Sequence, residues 1–562
     1  MKQEDNKISI ILNKKVCSFS KNSKQVIKAI IENQINQHKK VEEMIIVVQN
    51  DLFIQNQGAL EISEAIQDQI HLKSLILIIE TYNSISCAGA KSIGQALSKL
   101  INLTHLELSI EQKNSIFTNG FIAIARGLSC LVNLTKLHIM LGNKNFVNKE
   151  GGVALGEAFK KLGNLRALSI ILEDNYICDE GALSIGEGFT YLKEIEQLQF
   201  TLLYNNITNL GIKALGQGIS QMKMLRILGI KIRSVNKFDD IGLCYFFQDF
   251  DFQFLQDLCL FIGTCIEFKQ FSCQSLGNSL SKCRQIEKIN LIIFSSQIND
   301  DGLQYLGKGL TLLNKLQELN IFLYQSQIQS GFFTGFQEGF ANLQQLLRLN
   351  LQISIKYQPK QNRVMCDLGR SFQFLSNLKS LKLTLNGENF ENPDGPFALG
   401  FGLKQLKNLE NLQLYLDLYD DIKEKCFQQL GEGLKELVNL ESLSLVFGRL
   451  ISFNSSIILH YVQNFTYLKK LYISTGYYYK LTLQDLFDLG QYIGKLQNLR
   501  QLIFYIDFQT HGKEGVKQMF KGLQNLKKLN IITNNWRNYR GNQRQICQQA
   551  IKKLMHLIFI KV

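Results

Sequence analysis

One pattern governs the whole chain. The motif L-x-x-L-x-[LI]-x-[LI], with some substitutions, opens at Leu72, Leu103, Leu134, Leu165, Ile195, Leu225, Leu255 and Ile286. It continues at Leu316, Leu346, Leu378, Leu409, Leu440, Leu468, Leu499 and Leu526, with successive openings 27–32 residues apart. A weaker copy starts at Val41 and a stub (LIFIKV) at Leu557, which makes about 17 units. Each unit combines two periods. Leu168, Ile170 and Leu172 alternate with other positions, as in a strand with one buried face. The segment from Gly181 to Leu192 (GALSIGEGFTYL) spaces apolar residues three and four apart, as in an amphipathic helix. Neither element can bury its apolar face alone, so the units must stack into a continuous core.

A length of 562 residues would ordinarily suggest three or four domains. The unbroken repeat argues against that. Only three prolines occur (Pro359, Pro393 and Pro396), and no Gly/Ser-rich or Pro-rich linker interrupts the chain. The expected organisation is a basic N-terminal cap over residues 1–40, one solenoid of repeats over 41–556, and a terminal strand stub at 557–562. No run approaches the roughly 18 apolar residues of a membrane span. The start, with charges on both sides of Ile8 to Leu12, does not read as a secretory signal.

Glycines recur at one place in the helical halves, among them Gly94, Gly156, Gly186, Gly216, Gly277, Gly307, Gly369, Gly400, Gly431 and Gly490. Each costs about 0.5–1 kcal/mol relative to alanine in a helix. A repeated cost at a fixed register implies close approach of neighbouring backbones. Asparagine precedes the opening leucine in eight units, at 102, 133, 164, 377, 408, 439, 498 and 525, where it suits a turn in the left-handed conformation.

These units resemble the leucine-rich repeat, specifically the ribonuclease-inhibitor-like subclass, whose units alternate a strand with a full α-helix. The resemblance covers residues 41–562. It implies an α/β solenoid of horseshoe form, with a parallel β-sheet on the concave face and α-helices on the convex face. The sequence departs from the family in one respect. The family commonly places an Asn or Cys soon after L-x-x-L-x-L, whereas here a fourth apolar residue such as Leu172 or Leu202 comes first and Asn follows later, at Asn175 and Asn205 for example.

No catalytic constellation is present. The chain has no G-x-x-x-x-G-K-[ST] phosphate loop, no kinase signature, no G-x-S-x-G elbow and no H-E-x-x-H pair. LGEG and LGQG segments lie inside predicted helices and read as packing glycines. The 12 cysteines form no C-x-x-C and no zinc-like spacing, so they read as small buried hydrophobes in a reducing, cytoplasmic compartment. His105 and His138 lie diagonally on adjacent strands, but without a third ligand they read as two surface histidines. The expectation is a non-enzyme with no cofactor, no metal and no small-molecule substrate.

In a stacked solenoid the positions between buried leucines face the open groove, and sixteen strands about 4.8 Å apart give a face of about 75 Å. Most groove positions are polar, and Asn290, Asn320 and Asn350 share one register, as in an amide ladder. One stretch breaks the pattern. Phe261, Ile292 and Phe322 occupy one groove register, with Phe294 and Tyr324 two residues further on. These five are the candidate protein-binding residues, unless loops fold over and bury them. Longer strand-to-helix segments at 355–366 and 386–396 are further candidates for recognition or plain loops.

Charge is uneven. Of the formal net charge of +14, residues 1–40 hold nine Lys/Arg against three Asp/Glu, and the basic C-terminal end, 510–562, eleven against one, leaving −2 for 41–509. The segment 533–545 places Arg537, Tyr539, Arg540 and Arg544 around the single tryptophan, Trp536. Basic residues interleaved with aromatics suit nucleic-acid binding, and lysine-rich ends also suit a solubilising cap. The main expectation is a scaffold that holds a protein partner through the concave face and edge loops. A nucleic-acid or ribonucleoprotein-associated subunit using the basic ends is the alternative. Regulation of a small GTPase follows from the resemblance alone.

Overall fold

Strands form where leucine and isoleucine alternate with smaller or polar residues, and the buried set is nearly closed to solvent. Leu106, Leu108 and Ile110 on one strand and Leu137, Ile139 and Leu141 on the next are at most 2% exposed. Each such side chain contributes about 1.5–3 kcal/mol on burial. The opposite face of the layer is supplied by helices, whose Phe121, Ile124 and Leu128 are fully buried.

The computed structural model describes residues 6–13, 26–38, 40–233, 237–263, 267–294, 297–326, 334–355, 364–387, 394–417, 424–448, 460–475, 482–505, 512–523, 526, 529 and 531–534. The chain forms two compact units, Met1–Ile286 and Glu287–Val562, called here the first and second halves. In the first half nine described strands, from Lys7–Leu12 to Asp257–Ile262, pair in parallel, each with its sequence neighbour. In the second half nine more, from Lys288–Ile293 to Ile531–Asn534, do the same. Among the described residues a helix lies between most successive strands, as parallel pairing requires. The basic segment 1–40 contains a strand, Lys7–Leu12, and a helix, Val26–Ile35, and that strand pairs in register with Glu43–Val48.

The helix glycines act as anticipated. In the helix Cys178–Phe189, a Cβ on Gly186 would meet the backbone of Ala214 in the next helix, and a Cβ on Gly188 would lie 2.5 Å from the carbonyl oxygen of Gly156 in the previous one. Gly216 and Gly218, and Gly400 and Gly402, repeat the arrangement. Both interfaces of such a helix are therefore backbone against backbone.

Two asparagine sets tie unit to unit. Those before the opening leucine lie in the predicted turn, but none is among the residues with left-handed φ. Instead, Nδ2 of Asn102, Asn133, Asn164, Asn377, Asn408, Asn439 and Asn498 donates to a turn carbonyl of the preceding unit at 2.7–3.0 Å. Asn525 lies outside the described residues. The second set includes the Asn175 and Asn205 noted in the sequence. In the first half it is a continuous buried ladder of Asn83, Asn114, Asn145, Asn175 and Asn205, each 0% exposed. Asn145 Nδ2, for example, donates to Gly142 O at 2.9 Å and to Glu111 O of the preceding unit at 3.0 Å.

The eight cysteines with described side chains divide. Cys273, Cys283 and Cys366 are buried, as expected of small hydrophobes, whereas Cys130 is exposed and Cys87, Cys178, Cys244 and Cys259 are half-buried. Those five sit on helix ends, helix surfaces or outward strand positions, where the sequence period places no core. Among the described residues, no helix is long and apolar enough to cross a membrane.

The glycine contacts make a direct prediction. Gly186→Ala and Gly402→Ala each force a methyl into a neighbouring backbone, which is overpacking without a flexible side chain to yield, so each should cost about 2–3 kcal/mol. Urea unfolding followed by circular dichroism measures this, with the exposed-surface change Leu183→Ala as the control expected to lie within about 0.5 kcal/mol of the parent.

Candidate functional site

The open face of each sheet is built from the outward positions of successive strands, so adjacent units contribute to rows. In the second half, Ile292 pairs with Phe322 across neighbouring strands. Two residues on, the rings of Phe294 and Tyr324 stack with centroids 4.4 Å apart and planes 2° from parallel. Tyr324 Oη donates to Gln352 Oε1 at 3.2 Å. All four of these side chains are half-buried. They form an apolar step on the open face, with a hydroxyl at its edge; Tyr415 beside Val446 and Tyr472 beside Ile503 place further apolar side chains on the same sheet. Phe261 lies in the first half, on the strand Asp257–Ile262, half-buried and with Lys231 Nζ 5.4 Å from its ring centre.

A charged row borders the apolar step. Glu318 takes Lys288 Nζ at 3.3 Å, Arg348 Nε at 3.0 Å and Asn320 Nδ2 at 2.9 Å. Burial opposes its ionisation, but the Asn320 amide and the two cations outweigh burial and hold its carboxyl below the ordinary glutamate value. Asn290, Asn320 and Asn350 do share one register, and Asn320 is tied to the carboxylate of its own strand.

Sequence reasoning missed two features of the first half. The first is an apolar patch on the open face: Ile45 pairs with Ile76 and Val47 with Ile78, and Ile11 lies beside Val47. Its signal was the uninterrupted apolar runs EMIIVV and SLILII, which supply outward as well as inward side chains. The second is a row of exposed aromatic residues where strand passes into helix, taken up below. A polar groove of about 700 Å³ in the second half is lined by Gln344, Asn377, Asn408, Lys379, Glu410 and Tyr467, among others. Its asparagines are the cross-unit staples already described, and Lys379 pairs with Glu410 at 3.3 Å, so much of its wall serves the stacking.

No protein-family model matches the chain. No curated protein matches it either. Among solved structures, a leucine-rich-repeat protein of Leptospira interrogans is similar at 17% identity over 94% of this chain and 92% of that one, with a TM-score of 0.43. A TDR receptor is similar at 12% identity over 93% of this chain and 75% of that one, with a TM-score of 0.38. Likeness at that level carries no argument about function. The fold rests on the repeat itself, with parallel strands and helices alternating among the described residues in units of about 30 residues and leucines inward. Each half is a leucine-rich-repeat solenoid.

Within the leucine-rich-repeat halves, no group of three His, Cys, Asp or Glu among the described residues is placed to hold a metal ion. His138 pairs with Glu107 and His105 with Lys136, which makes the two histidines diagonal neighbours. Trp536, Arg537, Tyr539, Arg540 and Arg544 lie outside the described residues, as do most of the longer segments at 355–366 and 386–396.

Burial pushes the His138 imidazole below its ordinary value of 6.5, against the opposing pull of Glu107. The unfolded chain therefore takes up that proton first, and stability falls as pH drops below about 6.5. His138→Gln should flatten this part of the curve, seen as a smaller fall in melting temperature from pH 7 to pH 5 than in the parent.

Proposed function

We propose that the protein is a non-catalytic interaction scaffold that holds a protein partner on the open faces of its leucine-rich-repeat sheets. The observation that carries this reading is the stacked Phe294–Tyr324 pair beside Ile292 and Phe322, a ready-made anchor with a polar rim. Clustered aromatic side chains with a hydroxyl at the edge and charged groups outside are the composition of binding hot spots. Phe261 supplies a comparable anchor in the first half, already touched by a cation from Lys231.

Replacing Phe322 and Tyr324 by serine should weaken binding of the partner recovered with the native protein at least tenfold, about one hot-spot contact, without lowering the melting temperature. Phe261→Ser tests the first half in the same way. Lost stability with retained binding would overturn the reading, as would intrinsic turnover that maps to these rows.

A second reading rests on charge. Residues 510–562 carry eleven Lys/Arg and a single acid, and 533–545 interleaves arginine with Trp536 and Tyr539. Salt-sensitive binding of single-stranded RNA that is lost on deleting 533–545 would support a nucleic-acid contact at that end. Absence of binding at low salt would end it.

A further inference from the structure

Six consecutive units of the first half each expose one aromatic ring where the strand passes into the helix: Phe53, Tyr82, Phe146, Tyr176 and Tyr204 in the turn and Phe117 at the first position of its helix, all 37–57% exposed. All six have φ between 51° and 57° or, for Tyr82, 60°. The left-handed region costs a non-glycine residue about 1–2 kcal/mol, and an exposed ring adds a solubility cost. Asparagine or glycine would relieve both. Adjacent rings organise: Phe117 and Phe146 stack at 5.8 Å and 15°.

The backbone of this edge is occupied. Gln55 N, Ser86 N, Phe117 N, Asn148 N and Cys178 N each donate to the ladder asparagine carbonyl of the next unit at 2.8–3.0 Å. Those groups are not free to pair with an added strand, so what the edge presents is ring faces and side-chain charge. The charge is one-sided. The same strand-to-helix segments carry five acids, Asp51, Glu80, Glu111, Glu173 and Asp174, against two lysines, Lys113 and Lys144. Among the described residues no ion pair reaches any of the five carboxylates, whereas other acids of this half are paired, such as Glu42 with Lys73 and Glu196 with Arg166. One ring is already engaged at its rim: Lys113 Nζ donates to the Tyr82 hydroxyl.

We infer that this edge binds an extended, arginine-bearing segment of a partner polypeptide. A guanidinium stacks on an aromatic face and pairs a carboxylate through the same planar group, which an ammonium does less well. Five steps of about 4.8 Å give an edge of about 24 Å, the length of some seven or eight extended residues. The net negative charge repels phosphates, so a nucleic acid does not fit. The edge shares no residue with the sheet-face anchors, and the two surfaces fail or succeed separately.

The test titrates the full chain against a fluorescein-labelled peptide of about eight residues alternating arginine and glycine, with a lysine-glycine peptide as control, by fluorescence anisotropy. The arginine peptide should bind about tenfold more tightly than the lysine peptide. Tyr82→Ser with Tyr176→Ser, and separately Glu80→Gln with Glu111→Gln, should each weaken it about tenfold at unchanged melting temperature. If the tyrosine pair is lost to misfolding, the glutamate pair decides alone. Equal affinity for both peptides, unchanged affinity in the glutamate variant, or competition by single-stranded oligouridine for the same residues overturns the proposal.

Discussion

Parallel strands sit about 4.8 Å apart, whereas packed helices ordinarily keep 8–10 Å between axes. A unit that contributes one of each must reconcile the two spacings. Here the reconciliation is glycine. Gly186 and Gly188 on one helix, or Gly400 and Gly402 on another, remove the Cβ at both interfaces and let helix backbones touch. The helix layer thereby approaches the pitch of the strand layer, and strand registers can run from unit to unit within each half. Propensity loses about 1 kcal/mol at each such glycine. The loss is tolerated because the alternative, a methyl against a carbonyl, costs more.

The turns follow from that stacking. A buried asparagine ladder needs its amides turned inward, where Asn83, Asn114, Asn145, Asn175 and Asn205 meet carbonyls of their own and the preceding unit. The residues flanking each ladder position take left-handed φ, as at Tyr82 and Ser84 around Asn83. Their side chains are left on the solvent side. The ladder thus dictates that something is displayed at each rung, but it does not dictate an aromatic ring. The choice of Tyr82, Phe146, Tyr176 and Tyr204 at these flanking positions is additional to what the fold requires.

Much of this was legible beforehand because period and register are written directly in the side chains. The two periods within each unit, the inward leucines and the packing glycines needed no tertiary information. The ladder was harder to see for a simple reason. From the opening leucine to the ladder asparagine is eleven residues at Leu72, Leu103 and Leu134 but ten at Leu165 and Ile195, so the column slips by one when units are aligned on their leucines. The turn asparagines were placed correctly and given the wrong conformation, because their bond goes to the neighbouring unit and local propensity carries no such term. At the candidate site, the sequence brought Ile292 beside Phe322 and Phe294 beside Tyr324, since a two-residue period and a fixed step suffice. It could not supply the stack geometry, the extent of burial or the ion pairs around Glu318, which depend on rotamers.

Capping shows how far local structure depends on the neighbour. Asp240, in the first turn of the helix Asp240–Phe247, accepts from Lys269 N at 2.8 Å, Phe271 N at 3.0 Å and Ser272 N at 3.0 Å, which opens the next helix. Asp179 does the same for Thr208 N at 2.8 Å and Gly211 N at 3.1 Å. These amides are the orphan donors of a helix N-terminus, and the acceptor lies in another unit. Helix formation and unit stacking are therefore a single event at these joints, in keeping with nearest-neighbour stabilisation of repeat proteins. The same coupling bears on binding. A surface whose rungs are held by glycine contacts, asparagine staples and borrowed caps loses little conformational freedom when a partner arrives, so more of the contact energy appears as affinity.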